Sequence, residues 1–488
     1  MPADRRKLVR IGVRSLAAVA TAAVAVGLVG AATLGTWPAH RAEPPSTVVQ
    51  PEAVSQQRVC PGPILALGAD AAEATAIDVV GTASVVTATQ PDDVDLELSW
   101  LAMSDDPGAA EDSGPLVIDA AAGAVDPGML AGAQSQTERS ETIGGFAAAS
   151  CTEGAAESWL VAGATTVGRS SLVLLSNASD VAATVDVRVI GEAGPVEARS
   201  AIGITVPAKT QRVLSLAGLA PNVASPVVHV TSSGGAIAAS LEQSVVEGLA
   251  PAGVEISGPT APPAETQVIP GVLIDGGTGV AADEDHADGD AFPALRLYSP
   301  SGDEVEAVIS VVPVDGGAGD SIDADLQPGK VSDIPLGDLP EGAYTVRIDA
   351  DGPIVAAARS TVAAPPGDDD AATDAGVPAD LAWFAAAQPL LDSAVLAIPS
   401  GPSPALHLAL DADASDTASV TVTVGGDEVE VEVPPSGAVS VPLERGTAVL
   451  TGAEGVRASV SFRGADALAS FPVAPPGPLD SPIRVYPR

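Results

Sequence analysis

Asp283, Asp285, Asp288 and Asp290, interleaved with Glu284 and His286, make the one local grouping in this chain with the character of a metal site. Hard oxygens at alternate positions suit Ca²⁺, and an ion held between neighbouring domains would stiffen an extended array. The run lacks the glutamate that closes an EF-hand loop, and acidic runs in acidic proteins are ordinarily solvated. The expectation is therefore a solvated loop with no metal and no cofactor, these four aspartates being weak candidates; Asp368, Asp369 and Asp370 rank lower still. The histidines are His40, His229, His286 and His407. His229 and His407 alternate with apolar neighbours and are expected to face solvent. No HExxH, GxSxG or Walker A pattern is present, and no GxGxxG follows a strand and opens a helix. The reading is not an enzyme, the alternative being a Ser-His-Asp set assembled from distant parts of the chain.

Cys60 and Cys151 are the two cysteines. In an exported protein an even pair reads as a disulfide, and closing a loop of about ninety residues stabilises by roughly 4 to 5 kcal/mol in the chain-entropy model. The competing reading is two separate thiols; neither cysteine has a CxxC partner. Sugar binding would call for exposed aromatic rings. Trp159 and Trp383 open corresponding segments of an internal repeat, which favours a core role for both, and Trp100, alternating with Glu97 and Ser99, is expected in a core as well.

These residues are carried by strands. Residues 184–189 alternate strictly, Val185, Val187 and Val189 on one face against Thr184, Asp186 and Arg188 on the other, the pattern of a half-buried strand. Around it, 159–162, 172–175, 202–206, 212–216, 227–230 and 236–241 are short apolar segments bounded by Gly, Pro, Asn or Ser. About seven strands in roughly ninety residues is the spacing of an immunoglobulin-like sandwich. The pattern recurs. Residues 172–175 have counterparts at 295–298 and 406–410, the alternating strand at 308–312 and 420–424, and a Pro-marked strand pair at 326–336 and 433–443. A closing strand at 236–240 matches 353–357, 465–471 and, more loosely, 145–150. Copies this long suit tandem sandwiches better than solenoid repeats or propeller blades.

Composition bounds the rest. The chain has 488 residues and a net charge of −41, with 63 acidic against 22 basic side chains, and its apolar content of 46% is aliphatic, with five Phe, three Tyr and four Trp. Such a field repels phosphates and anionic headgroups, so nucleic acid is not an expected partner. Arg5, Arg6, Lys7, Arg10 and Arg14 precede a charge-free run over 15–34, long enough at helical rise to span about 30 Å of bilayer. The sequence thus divides into a cytoplasmic basic segment, 1–14; a transmembrane anchor or cleaved signal, 15–36; a Pro-rich tether, 37–57; a diverged β module, 58–152; β-sandwich modules at 157–248, 266–363 and 381–475, with a linker at 364–380; and a tail, 476–488. The fold class is all-β, tandem immunoglobulin-like sandwiches after an N-terminal transmembrane helix.

Cys60-Pro-Gly-Pro63 at the start of the first module, Cys151 ahead of the Trp159 strand, and Leu172-Val-Leu-Leu-Ser-Asn177 resemble an uncharacterised actinobacterial family of exported proteins, domain-of-unknown-function family 5719. The resemblance implies an exported, anchored architecture and brings no catalytic residues. Its frequent neighbourhood with envelope glycosylation genes implies an envelope role. The expectation is a single-pass membrane protein with its body outside the cytoplasm, or a secreted one if the leader is cleaved. It would be a non-catalytic structural or interaction protein of the cell envelope, whose partners are the membrane and envelope proteins or wall polysaccharide. The alternatives are a wall-polysaccharide binder and an unrecognised envelope enzyme.

Overall fold

The structure, a computed structural model, describes residues 47–49, 55–67, 77–105, 110, 112–275, 292–314, 316–363, 378–411, 414–476 and 483–485. The expected anchor at 15–36 and the four candidate metal ligands Asp283, Asp285, Asp288 and Asp290 lie outside the described residues. Among the described residues no helix is long and apolar enough to cross a membrane. The chain forms two units, 1–50 with 482–488, and 51–481. In the first, Thr47–Val49 pairs antiparallel with Ile483–Val485.

The second unit is built of β-strands, and one arrangement of them recurs four times. It is clearest over 157–257, the second set. Its main strands, in order, are Glu157–Leu160, Arg169–Asn177, Ala183–Gly191, Gly194–Val196, Thr210–Ser215, Val227–Ser233, Ala238–Glu247 and Ala250–Ser257, with a short Ile204–Val206 also paired to the start of Ala183–Gly191. The first, sixth, third and fourth make one sheet in that order, and the fifth, second, seventh and eighth make the other. The third set repeats the order with Ala264–Ile274, Ala294–Tyr298, Val305–Pro313, Asp320–Leu326, Val331–Pro335, a single strand Gly342–Ala363 serving both sheets as sixth and seventh, and Pro378–Ala385. The fourth set repeats it with Ser393–Ile398, Ala405–Ala409, Ala418–Val424, Asp427–Val433, Ala438–Pro442, Gly446–Thr451, Arg457–Gly464 and Ala467–Pro472.

The first set is reduced. Gln56–Val59, Leu116–Ala120 and Leu96–Trp100 form one sheet, and Ser84–Thr89, Leu130–Arg139 and Gly144–Ser150 the other. A hairpin, Ile64–Leu67 with Ile77–Val80, is inserted between its first and second strands. The segment in fifth position, Ala102–Met103, runs parallel to Thr210–Ser215 of the second set. Cys60 and Cys151 are joined in a disulfide across 91 residues of sequence, in a small core with Ile118, Val125 and Leu130.

The two sheets of a set differ in patterning, and the difference locates them. Third strands alternate: Val185, Val187 and Val189 are no more than 1% exposed, and Ile309, Val311, Val420 and Val422 are buried likewise, because one face meets the core and the other meets water. Second and seventh strands do not alternate. Val173 and Leu175 enter their own core while Leu172 and Leu174 pack on Leu65, Ile77 and Met103 of the first set. Both faces of that sheet are covered, which is what a continuous apolar run signals.

The covering is cyclic, so the sets close into a ring instead of stringing out as an extended array. Tyr298, Val355 and Leu381 of the third set join the second set's core. Ser459 of the fourth donates to the Pro270 carbonyl of the third at 2.7 Å. Phe146 of the first set lies 5.5 Å from Phe462 of the fourth, within the fourth set's core. One strand assignment needs correction with this. Pro378–Ala385 pairs with Gly342–Ala363, Trp383 opposite Arg359, so it ends the third set and does not open the fourth. Trp383 and Trp159 are therefore not equivalent: one lies in an eighth strand, the other in a first. Both are buried, at 2% and 7% exposure.

Candidate functional site

The eighth strands Gly144–Ser150, Ala250–Ser257, Pro378–Ala385 and Ala467–Pro472 are each the last strand of a sheet, with one edge of the backbone unpaired within it. All four turn that edge to the middle of the ring. Unpaired N–H groups in a dry interior cost free energy unless something accepts them. A single side chain does so. Asp380 Oδ2 accepts the N–H of Phe146 at 2.8 Å and of Leu468 at 3.0 Å, and Oδ1 accepts those of Leu381 at 3.0 Å and Val254 at 3.2 Å. The donors sit at corresponding places on the four strands, so one carboxyl ties every set to the others.

Glycine makes room for it. At Gly145, where φ is +144°, a Cβ would fall 2.5 Å from Asp380 Oδ1. At Gly253, where φ is +134°, it would fall 2.4 Å from Leu381 Cδ2 and 2.8 Å from its nitrogen. Two residues along the second set's eighth strand, Glu255 is fully buried. Its oxygens face the N–H groups of Ile256, Trp383 and Ser470 without reaching a hydrogen bond of normal geometry. Burial pushes the Asp380 carboxyl well above the usual range, against the pull of its four N–H donors. Burial raises Glu255 too, and the neighbouring Asp380 raises it further.

Charged side chains also fill the seams between sets. Arg296, fully buried on a second strand, pairs its Nε and Nη2 with the Asp333 carboxylate at 2.8 and 2.9 Å and donates to the carbonyls of Gly163, Ala224 and Pro226 of the second set. Its guanidinium lies 4.5 Å from the centroid of the Trp383 ring, whose indole N–H donates to Gln243 at 2.7 Å. Burial alone would raise Asp333, but the charge and hydrogen bonds of Arg296 outweigh it and hold the carboxyl below its ordinary value. Arg347 donates to Leu410 and Gly437 of the fourth set. Glu242, buried on a seventh strand, accepts the Leu65 N–H at 3.0 Å, and burial pushes its carboxyl up to about 8. Next to it, Gln134 and Gln211 bond the backbone of Gly62 and Pro61, so the Cys60-Pro-Gly-Pro63 stretch is pinned between the first two sets.

His407 departs from expectation, while His229 is half-buried beside the exposed Glu157. His229 stacks on Trp159, ring centroids 3.9 Å apart and 8° from parallel, with its Nε2 2.8 Å from Glu157. His407 is 1% exposed, its Nδ1 2.6 Å from Ser440 Oγ and its Nε2 2.7 Å from Ser461 Oγ, and burial pushes it down to about 4. It faces a seam, not solvent. A serine beside a histidine is the start of nucleophilic chemistry, but this pair lies under the chain at Gly271, where a Cβ would meet the ring at 2.2 Å. Trp100, expected in a core, is 48% exposed. An open groove of about 450 Å³ on the third set is lined by Glu306, Asp323, Asp325, Asp349 and Asp351, and among the described residues no group of His, Cys, Asp or Glu could hold a metal ion. The motif search missed Asp380, Glu255 and Glu242 because each is a lone acid. For Asp380 and Glu255 the signal was there: each adjoins apolar residues, as in Asp380-Leu-Ala-Trp-Phe384 and Val254-Glu-Ile256, where an acid has to be partnered; Glu242, between Leu241 and Gln243, carried no such mark.

No curated protein matches this chain. Among solved structures, Thermotoga maritima 1070 is 13% identical, covering 25% of this chain and 92% of its own at a TM-score of 0.18. An anti-sigma factor domain-containing protein from Clostridium clariflavum is 8% identical, covering 87% and 99% at 0.12. Beta-glucuronidase 2 of Bacteroides uniformis is 7% identical, covering 63% and 33% at 0.11. Scores this low carry no argument about fold or activity. The family of unknown function DUF5719 matches residues 102–450, most of the length over which the strand sets recur, and the chain belongs to that family.

Proposed function

We propose that this protein is a non-catalytic scaffold of the cell envelope, held at the membrane by residues 15–36 with its strand sets outside the cytoplasm. The observation that carries the reading is how the converging polar groups are used. Asp380, Arg296, Arg347 and Glu242 all bond backbone of a neighbouring set, so the chemistry gathered at the seams holds the sets in register. The Cys60–Cys151 bridge supports an oxidising compartment. Each set is read as a variant immunoglobulin-like sandwich. In the second, third and fourth sets the second strand pairs with the fifth and the third with the sixth, as strands B with E and C with F, while the first and seventh strands have exchanged sheets. Wall polysaccharide is the weaker reading, since Trp159 and Trp383 lie inside the molecule.

The test is carboxylate-directed crosslinking in intact cells, the reagent suiting a chain with 63 acids. The expected result is the chain in the membrane fraction, attached reproducibly to one or more envelope proteins. Recovery in the cytoplasm with both thiols free, or attachment to wall polymer alone, overturns the reading.

A further inference from the structure

In three of the four sets the outer edge of the third strand is closed by a fourth: Gly194–Val196 on Ala183–Gly191, Asp320–Leu326 on Val305–Pro313, and Asp427–Val433 on Ala418–Val424. In the first set the third strand, Leu96–Trp100, pairs with Leu116–Ala120 on one side. Among the described residues no strand pairs with its other edge. The fifth position is vacated as well, because Ala102–Met103 pairs with the second set. This sandwich is therefore open along one side.

The side chains record the gap. Leu96, Leu98 and Trp100 share the face turned to the core, and Leu96 packs against the cluster around Cys60 and Ile118. Leu98 and Trp100 are each 48% exposed, whereas the corresponding Val185, Val187 and Val189 of the second set are at most 1% exposed. A free backbone edge beside two uncovered apolar side chains is the geometry that accepts an added strand. Asp92, Asp93, Asp95 and Glu97, all exposed, line the same stretch.

We propose that Leu96–Trp100 is the docking edge for an extended strand donated by another polypeptide, one with apolar residues at alternate positions and Lys or Arg between or beside them. The charges select this occupant. A second copy pairing edge to edge would set Glu97 and the aspartates against their own kind, on a chain of net charge −41. The internal segments 68–76, 106–109, 276–290 and 364–377 of this chain contain no Lys or Arg and no large apolar residue beyond Val280 and Val377, so they do not supply the complement; the terminal segments 5–14 and 482–488 do carry Arg among apolar residues, and a crosslink from Ser99 to either overturns the proposal. The inference rests on the scaffold reading and names the surface that reading needs.

The experiment places a photoreactive residue at Ser99 of the full chain in intact cells, with a second position, Leu249, as comparison, and maps the crosslinked peptides. From Ser99 the expected product is one reproducible partner segment that alternates apolar residues with Lys or Arg. The Leu98→Ser, Trp100→Ser double variant lowers its yield about tenfold or more, as loss of an aromatic anchor does. Glu97→Lys, which disturbs no buried group, lowers it too. Crosslinks from Ser99 to this same chain, to a second copy or to wall polysaccharide overturn the proposal, as does a yield indifferent to both variants. Envelope proteins recovered from Leu249 but not from Ser99 sink this edge and leave the scaffold standing; none from either position sinks both.

Discussion

Replacing Asp380 by alanine removes the acceptor of four backbone N–H groups, those of Phe146, Val254, Leu381 and Leu468, and leaves the donors where they are. An orphaned buried donor costs about 1 to 3 kcal/mol, so even the low end for each gives about 4 kcal/mol, a large share of the 5 to 15 kcal/mol typical of a folded protein. Buried charges are sometimes replaced by apolar groups at no cost, but only when the partner goes too; here the partners are main chain and stay. Asp380→Asn separates the two contributions. Its amide oxygen still serves one pair of N–H groups while its NH₂ confronts the other pair donor to donor, so about 2 kcal/mol or more is lost with the volume unchanged. Guanidinium unfolding of the purified chain, followed by near-ultraviolet circular dichroism, should order the midpoints wild type, Asn, Ala. An alanine variant within about 1 kcal/mol of wild type, or one more stable than the asparagine variant, would refute the idea that this carboxyl closes the ring.

Three further outcomes follow from the same geometry. Opening the Cys60–Cys151 bridge, by Cys151→Ser or by reductant, should lower stability by about 4 to 5 kcal/mol for a loop of 91 residues, read as a shifted denaturation midpoint; an unchanged midpoint in reductant removes the clasp. Gly253→Ala should cost more than about 2 kcal/mol, since its φ of +134° is a strained region for alanine and its Cβ would press on the Leu381 main chain, whereas Gly218→Ala, with open space around it, serves as the control. Stability should fall as pH rises above about 4.5, because burial raises Glu242, Asp380 and Glu255 alike, and fall more steeply above about 6.5, where His407 no longer opposes them. Glu242, raised from 4.5 to about 8, holds its proton more tightly when folded. Its contribution is whole below 4.5 and lost as pH climbs to about 8, roughly 5 kcal/mol in all. His407, lowered from 6.5 to about 4, contributes above 6.5 and loses roughly 3 kcal/mol as pH falls to about 4, which offsets the share of one carboxyl between about pH 4.5 and 6.5. Denaturation across this range is the check, and Glu242→Gln should lessen the alkaline fall without abolishing it, since Asp380 and Glu255 remain.

The strands were legible where one face meets water. Residues 184–189 and 418–424 show their alternation in the sequence because Thr184, Asp186 and Thr421 look outward while the valines look in. The disulfide was legible from cysteine arithmetic. The ring was not, because its evidence lies in strands buried on both faces, where alternation disappears and the face turned to the core cannot be told from the face turned to a neighbour. Runs such as 354–358 and 381–387 carried that information as length without polarity. The repeat itself misled at one point: the apolar run holding Trp383 looks like the segment holding Trp159, yet an eighth strand and a first strand are both apolar, and only pairing with Arg359 tells them apart. His407 and Trp100 failed for opposite reasons. His407 alternates with leucines in a sheet covered on both sides, so its polar face is a seam; Trp100 alternates correctly toward a core that its own set does not finish.

Unpaired strand edges are a liability, since each offers its N–H and C=O groups to any passing chain. Four such edges are turned inward here and spent on Asp380, which explains why a carboxyl that burial disfavours is kept at the middle of the ring. The edges that remain outside are guarded by the charge that dominates the composition. Asp427–Val433 exposes Glu428, Glu430 and Glu432, and Asp320–Leu326 exposes Asp323 and Asp325. Acid in the sequence therefore plays two roles, accepting main-chain donors within and repelling copies without. Leu96–Trp100 satisfies neither rule fully, being an outer edge with acids beside it and a tryptophan and a leucine left bare upon it. An edge defended against its own kind yet apolar enough to accept a strand of opposite charge would be a selective surface, which is the property the proposed scaffold requires.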